Sequence, residues 1–348
     1  MEGRFTFRPL KADDSPALAQ LVSSSPSSGL ASFTYDYQAG LLEIHRAFAD
    51  ELHGIVSTAG PAVMGMVLAD LRQVQWEGQV CQAAYVSNLR VARNYRRQGV
   101  ARGILNYGYG YAEEVMGTDP MVYTAIPEGN VTLALTEAYQ CQITGAIQGG
   151  VVPMSRSASK AKPGLAVRPA DQEDLPAVAQ GMNQFYREHN LWSPVSASGL
   201  ERYLNTGVAG IRPNQLYVAT RKARIVAGLS VSNRTELIRM KITNLPGYAR
   251  WLGSLLGVLP RDGLLRALTV RHVWVAEGEL ESARYLWQTL RHTLRDQGNS
   301  LGIAYDPRDE LASVFQIPFW LPMFKARYAV RASTALDPDR PIYCLAGP

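Results

Sequence analysis

The spacing of apolar and polar residues in the first half of the chain predicts short strands that alternate with helices. Residues 5–9 predict a strand, residues 14–23 an Ala-rich helix with proline in its first turn, and residues 35–51 an irregular, partly helical segment. The elements predicted after these are strands at 55–57, 62–69 and 79–91, a helix at 99–116, a strand at 121–125, a helix at 132–139 and a strand at 145–152. Hairpins mixed with crossovers favour an α/β fold of the α+β kind, with a twisted mixed sheet flanked by helices.

The pattern then repeats itself. Arg8-Pro9 recurs as Arg168-Pro169, and residues 14–20 match residues 174–180, so seven identities share the offset 168 − 8 = 160. Further along, Val91-Ala92 matches Val275-Ala276 at the larger offset 275 − 91 = 184. The second copy therefore contains an insertion, which we place at 235–261 with a helix-like centre at 248–252.

The two copies define the expected domain organisation. Residues 155–164 are small, polar and basic, which is typical of a linker. We expect a first domain at 1–154, this linker at 155–164 and a second domain at 165–348. Strand patterns at 216–220 and 225–231 repeat the hairpin of the first copy.

Composition narrows the class of protein. The 348 residues are 47% hydrophobic and 19% charged, which excludes a mainly disordered, collagen-like or coiled-coil chain. The 35 basic and 30 acidic residues give a net charge of +5, which suits an anionic ligand without indicating nucleic acid. Three dispersed cysteines and five unpaired histidines favour neither a disulfide framework nor a metal site. We find no signal peptide or membrane-spanning pattern and expect a cytoplasmic protein.

The candidate chemistry lies at the end of the long strand. There a basic turn leads through Gly99 and Ala101 into a helix. Small residues let backbone amides approach a ligand, and a helix N-terminus carries about half a positive charge, so this segment can bind a pyrophosphate. Arg96, Arg97 and Arg102 add formal charge around it. The spacing matches neither the GxxxxGK[ST] nucleotide-binding loop nor the GxGxxG dinucleotide fingerprint.

This segment resembles the GNAT superfamily of acetyl-CoA-dependent N-acetyltransferases. Arg96, Gly99 and Ala101 fill its R/Q-x-x-G-x-G/A signature, and Leu89 and Val91 fill the L-x-V strand end before it. The resemblance implies acetyl-CoA as co-substrate and no metal. The residues that it implies for acetyl-CoA binding are Leu89, Arg90, Val91, Arg96, Arg97, Gln98, Gly99, Val100, Ala101, Arg102 and Asn130.

The resemblance also implies a catalytic residue. Tyr139, at the end of the next helix, is similar to the family's tyrosine that protonates the departing thiolate, although the segment after it is longer than usual and lacks an aromatic residue. Many members place a glutamate on the long strand as general base, and this strand has none. The alternatives are a water held by Ser87 or Asn88, or the carboxylates of Glu43 or Asp70.

The second copy departs from the signature. Glu277, Glu279 and Glu281 follow its long strand, where their charges would repel a pyrophosphate, so we interpret this copy as a degenerate GNAT-like domain that does not bind CoA. The carboxylates are expected to interact with the helix N-terminus. The aromatic tract at 315–324 either lines an acceptor pocket between the copies or packs at their interface.

The resulting hypothesis is an N-acetyltransferase whose first domain transfers an acetyl group to a primary amine that attacks the thioester directly. The alternative is a non-catalytic, regulatory acyl-CoA-binding protein. The expected acceptor is a small-molecule or peptide amine. We expect neither a nucleic-acid nor a membrane partner, and a monomer or homodimer.

Overall fold

The computed structural model describes residues 5–25, 32–130, 133–245, 247–255, 257, 259 and 262–344. The strands of the first half are β1 (Thr6–Pro9), β2 (Ser32–Tyr37), β3 (Glu51–Ala59), β4 (Ala62–Trp76), β5 (Gln79–Val91), β6 (Met121–Pro127) and β7 (Gln142–Pro153). Its helices are α1 (Ser15–Ser24), α2 (Leu41–Phe48), α3 (Val100–Met116) and α4 (Leu133–Ala138). The predicted helix start at Thr132 lies outside the described residues.

The second half repeats this order of elements. Its strands are β8 (Leu165–Pro169), β9 (Asn214–Arg221), β10 (Arg224–Ser232), β11 (Ile238–Asn244), β12 (Leu264–Leu265), β13 (Ala267–Val275), β14 (Ser300–Tyr305) and β15 (Phe324–Arg331). Its helices are α5 (Leu175–Phe185), α6 (Ala197–Asn205), α7 (Gly247–Leu255), α8 (Leu280–Thr293) and α9 (Leu311–Phe315).

One sheet of twelve strands runs through both halves, in the order β1-β3-β4-β5-β6-β15-β7-β14-β13-β10-β9-β8. The last strand of each half is exchanged: β15 pairs with β6 of the first half, and β7 pairs with β14 of the second. The two exchanged strands also pair with each other at the centre. Neither half therefore completes its sheet from its own residues, and the boundaries at 154 and 165 stay a prediction for the folding units. The mixed sheet flanked by helices confirms the predicted fold class.

The duplication is visible in side-chain contacts at both strand-to-helix junctions. Arg8 donates two hydrogen bonds to the carboxylate of Asp14, at 2.8 and 2.7 Å. Arg168 donates the same pair to Asp174, 160 positions later (174 − 14). Bidentate arginine–carboxylate pairs fix geometry strongly, so each pair locks a short strand to the helix after it.

The long strands β5 and β13 share an uncommon distortion. Where β4 pairs with β5, Asn88 and Leu89 stand opposite a single residue, and Asn88 has φ +54°. In the β10–β13 pair the extra residue is at His272, which has φ +52°. These β-bulges lie 272 − 88 = 184 positions apart, the offset that the sequence gives for this part of the repeat.

Both bulged strands also separate from their next neighbours. β5 pairs with β6 only from Ala83 to Tyr85, and β13 pairs with β14 only from Ala267 to Thr269. Beyond these pairs the parallel strands diverge, and each leaves a wedge-shaped opening at its carboxyl end. Ligands of open α/β sheets bind at such openings.

The sequence prediction did not include β12, β14 and β15, and two further strands were also missed. Residues 32–37, of which 35–37 were expected to be irregular, form β2, and residues 238–244 of the insertion form β11. They pair with each other, and β12 completes a separate three-stranded sheet. The helix predicted inside the insertion is confirmed as α7.

Helices cover both faces of the large sheet. On one face of the first half, α1 and α2 bury Leu18 and Leu42 against Met66 of β4. On the other face, α3 buries Val100 and Ile104 against the sheet. In the described part of the chain, none of the helices has the length and apolar character needed to cross a membrane.

Candidate functional site

The wedge in the first half exposes a strand edge. Leu89 and Val91 pack their side chains under α3. Both residues lie beyond Tyr85, where β5 no longer pairs with β6, so this edge of their backbone has no strand partner there. A free strand edge can pair with an extended ligand as if it were another strand. Arg90 points to the opposite face, where its guanidinium donates to the carbonyl of Ser25 at 3.2 Å, and burial lowers the pKa of Arg90. Only the backbone of Arg90 is therefore at the predicted site.

The turn after β5 presents a series of backbone donors. Arg97 has φ +61° and Gly99, the residue before α3, has φ +84°. The amides of residues 97–102 donate no hydrogen bond to any described residue, and Gly103 is the first in this run to do so, to Gly99 at 2.9 Å. Successive free amides in such a turn form a concave anion site at a helix N-terminus. This run of amides includes four of the residues that the resemblance implied for acetyl-CoA binding: Gln98, Val100, Ala101 and Arg102.

Positive charge surrounds these amides. Arg93, Arg96, Arg97 and Arg102 are all exposed, and residues 92–103 contain no acidic residue. Arg96 Nε donates to the carbonyl of Val91 at 3.2 Å, which leaves that oxygen a second lone pair. The turn therefore combines fixed backbone donors with exposed, positively charged side chains.

Close packing holds the start of α3 in place. Val100 and Ile104 are 1% and 0% exposed. A Cβ atom on Gly103 would lie 2.2 Å from the Phe7 ring of β1, so only glycine lets the helix approach this closely. The turn after β5 is thus attached to a closely packed part of the fold.

Tyr139 and Asn130 lie at the two ends of the α4 segment. The Tyr139 hydroxyl donates to Asn106 Oδ1 at 2.7 Å and lies 3.3 Å from the carbonyl oxygen of Arg102, so it faces the first two turns of α3. Burial raises the pKa of Tyr139, partly offset by Arg102. Asn130 follows β6, and its amide donates to Pro127 O at 3.1 Å. Tyr139 therefore lies beside α3 and Asn130 lies beyond the end of β6, and their roles stay predictions.

Both candidate carboxylate bases have hydrogen-bond or ion-pair partners within the protein. Asp70 is ion-paired with Arg72 and accepts a hydrogen bond from the backbone amide of Asp50 at 3.0 Å. Glu43 accepts the hydroxyl of Ser15 at 2.7 Å. Each carboxylate has a structural partner in the described chain, which leaves a water held by Ser87 or by the bulge residue Asn88 as the remaining candidate.

The second half lacks a counterpart of the turn that follows β5. Residues 92–99 separate β5 from α3, a length of eight, whereas residues 276–279 separate β13 from α8, a length of four. Glu279 precedes α8 and pairs with Arg221 at 3.0 Å; hydrogen bonds from Ser282 and Arg221 lower its pKa. Glu281 pairs with Lys162 and Arg284, and hydrogen bonds from them lower its pKa. Two carboxylates of the protein itself, Glu279 and Glu281, therefore lie at the N-terminus of α8.

The wedge of the second half is also filled. The Tyr186 hydroxyl donates to the carbonyl of Val273 on the diverging strand. Tyr186 stacks on Trp192 with ring centroids 4.4 Å apart, and Tyr343 packs against both. These rings cover the strand edge that the first half leaves open.

The aromatic tract at 315–324 divides between the core and the surface. Phe315 and Leu321 are buried, whereas Phe319 and Trp320 are exposed. The tract borders a cavity of about 360 Å³ beside α8, together with Leu255 and Arg156. Within the described residues, no cluster of three or more His, Cys, Asp and Glu side chains could hold a metal ion.

Comparison with known proteins rests on structure alone, since no family model and no curated protein sequence matches the chain. An N-myristoyltransferase from Saccharomyces cerevisiae with bound myristoyl-CoA is similar over 98% of this chain and 87% of its own, at 10% identity and a TM-score of 0.66. A GCN5-related N-acetyltransferase from Kribbella flavida is similar over 94% of this chain and 71% of its own, at 13% identity and a TM-score of 0.54. One from Anabaena variabilis covers 94% and 73%, at 14% identity and a TM-score of 0.51. The chain therefore has a GNAT-type fold, as the signature predicted, and its two halves repeat one order of elements, as the internal repeat predicted.

Proposed function

We propose that this protein is an acyl-CoA-dependent N-acyltransferase whose donor binds to the first half. The observation that carries the proposal is the run of free amides at 97–102, ringed by arginines, at the end of a diverging strand. A pyrophosphate meets backbone donors, a helix N-terminus and formal positive charge in one place. The fold that the chain shares with N-acyltransferases supports this reading.

The strand edge explains how the rest of the donor would lie. A pantetheine arm carries amide groups spaced for pairing with an extended backbone, and Leu89 and Val91 offer such groups beside the turn. The donor would then enter the wedge with its thioester near the bulge at Asn88. An amide released from the ladder by the bulge can donate to the oxygen that becomes negative during attack.

The proposed transfer needs few protein groups. The acceptor amine attacks the thioester carbonyl, a C–N bond forms, the C–S bond breaks, and the amine gives up one proton. The leaving thiolate takes a proton from the Tyr139 phenol, which is protonated at neutral pH, and the tyrosinate that forms regains a proton from water. The amine's proton leaves through water at Ser87 and Asn88, because the nearby carboxylates are already engaged.

We propose acetyl as the transferred group and a primary amine of a small molecule or peptide as the acceptor. The signature residues Arg96, Gly99 and Ala101 support acetyl-CoA. The N-myristoyltransferase neighbour, which has bound myristoyl-CoA, makes acyl-chain length a variable to measure. We also propose that the protein is cytoplasmic.

One observation favours a second candidate, a non-catalytic acyl-CoA-binding regulatory protein. Asp70 is ion-paired with Arg72, and Glu43 accepts a hydrogen bond from Ser15. The Tyr139 hydroxyl donates a hydrogen bond to Asn106. A binding protein needs the turn and the strand edge but no base. It would bind acyl-CoA without releasing thiol in the presence of amines.

The deciding experiment measures thiol release from acetyl-, octanoyl- and myristoyl-CoA with a panel of amines and N-terminal peptides. We expect amine-dependent release with acetyl-CoA and loss of this release in Gly99→Glu. Binding of acyl-CoA without release for every amine would support the regulatory alternative. Absence of acyl-CoA binding would contradict both.

A further inference from the structure

The insertion of the second half exposes a large apolar face. On α7, Tyr248, Trp251 and Leu255 are 61%, 69% and 62% exposed. Their spacing of three and four residues places them within an arc of about 60° on one side of the helix. A helix of a folded protein normally turns such a stripe toward the core, and α7 turns it toward solvent.

A second exposed segment adjoins this face. Phe319 is 98% exposed and Trp320 is 47% exposed. Trp320 and Leu255 line the same cavity of about 360 Å³, so the tract and the end of α7 are neighbours. We give the name aromatic face to the five exposed residues of α7 and of the tract, which are Tyr248, Trp251, Leu255, Phe319 and Trp320.

The tryptophans show how unusual this exposure is within the protein. The chain has six tryptophans. Four of them are at most 4% exposed and belong to the core: Trp76, Trp192, Trp274 and Trp287. Both of the others are on the aromatic face.

Basic side chains lie beside the aromatic face. Arg250 is an exposed residue of α7, and residues 247–255 of this helix include no acidic residue. Arg156, also exposed, lines the cavity shared by Leu255 and Trp320.

We propose that the aromatic face docks the protein on the surface of an anionic lipid bilayer. Tryptophan and tyrosine rings favour the boundary between headgroups and acyl chains, and the neighbouring arginines Arg250 and Arg156 are attracted to anionic headgroups. The complementary charge argues for a lipid surface rather than a second copy of this chain, whose face would carry the same positive charge.

This contact lies on the surface and differs from a membrane span. The sequence led us to expect no membrane partner because it contains no long apolar segment. Surface docking leaves no such signal, since it depends on which aromatic residues the fold exposes. The inference does not rest on the proposed enzymatic function, because it concerns a different face and needs no turnover.

The test is sedimentation of the full chain with phosphatidylcholine vesicles, with and without phosphatidylserine. We expect binding to the anionic vesicles only, weakened by salt, with a blue shift of tryptophan emission. The double variant Trp251→Ser/Phe319→Ser should lose about tenfold or more in vesicle affinity, and Arg250→Glu should lose several-fold. Val80→Ser is the matched control, since Val80 is 57% exposed outside the aromatic face.

Three results would overturn the proposal. The first is that the protein binds neutral and anionic vesicles equally, or binds neither. The second is that the double variant binds anionic vesicles as well as the unmodified protein does, and the third is a concentration-dependent dimer that the double variant abolishes. The last would assign the aromatic face to a contact between copies. Circular dichroism of each variant confirms that these surface substitutions leave the fold intact.

Discussion

The two halves of the chain share one backbone frame, and they differ at the proposed donor site in the turn that follows the bulged strand. Each has a bulged central strand with a left-handed residue, Asn88 or His272, and each bulged strand diverges from its parallel neighbour. After the first strand come eight residues with exposed arginines and free amides; after the second come four residues that end in Glu279.

The difference teaches that the wedge alone does not make a donor site. The second half keeps the wedge but covers it with Tyr186 and Trp192, and it places its own carboxylate at the start of α8. An anion site requires free amides, local positive charge and open space together. Only the first half offers all three among the described residues.

The largest effect is expected from a matched pair of glycine substitutions. Gly99 and Gly278 both have positive φ, +84° and +76°, and a Cβ atom would meet nothing within 4 Å at either. Gly99→Glu puts a carboxylate into the proposed pyrophosphate site and should weaken CoA binding by about 100-fold or more in calorimetry.

Gly278→Glu is the control, since it carries the same backbone strain and charge in the second half. It should leave CoA affinity within about twofold of the unmodified protein. A loss of affinity confined to Gly278→Glu would reverse our comparison of the halves.

A smaller effect is expected at the hydroxyl of Tyr139. In Tyr139→Phe, turnover should fall by about 10- to 100-fold because the thiolate loses its proton donor, with little change in CoA affinity. In the second half, the residue that follows the corresponding helix α9 is Gln316, which has no hydroxyl. The measurement is the rate of thiol release beside a binding isotherm.

Tyr109→Phe is the control for this substitution. The Tyr109 hydroxyl lies on α3 and contacts Asp119 at 3.5 Å, away from the wedge. Equal rates for Tyr139→Phe and the unmodified protein would remove Tyr139 from the mechanism.

The smallest effect concerns the duplicated junctions. Hydrogen bonds from Arg8 and Arg168 lower the pKa values of Asp14 and Asp174. Their stabilising contribution is therefore present above the unfolded pKa of about 4 and is lost as pH falls through the lower folded pKa. Asp14→Asn and Asp174→Asn should each reduce the free energy of unfolding by about 1 kcal/mol at neutral pH.

Urea titrations at pH 7 and pH 3 test this expectation. The deficit of each variant should shrink at the lower pH. A deficit that stays constant with pH would show that packing, not the ion pair, holds the junction.

Local features of the fold could be predicted from the sequence. The boundaries of β5 follow from its apolar pattern, and α3 follows from Gly99 and the small residues after it. The repeat was visible because Arg8-Pro9 and Asp14 recur at one offset. The signature placed the turn and its arginines correctly on the end of β5.

Long-range pairings could not be predicted. The strand β2 pairs with β11, some 200 residues away in sequence, so neither carries the signal of a local hairpin. The exchange of β7 and β15 was hidden because an apolar pattern specifies a strand but not its neighbour. For the bulge, the one available signal was Asn88, a residue type that tolerates positive φ.

The most direct test of the central claim is a crystal structure of the protein with acetyl-CoA. We predict density for the diphosphate at the amides of residues 97–102, for the pantetheine arm along Leu89 and Val91, and none at Glu279. Density in the second half, or away from the turn at Arg96 and Arg97, would contradict the account.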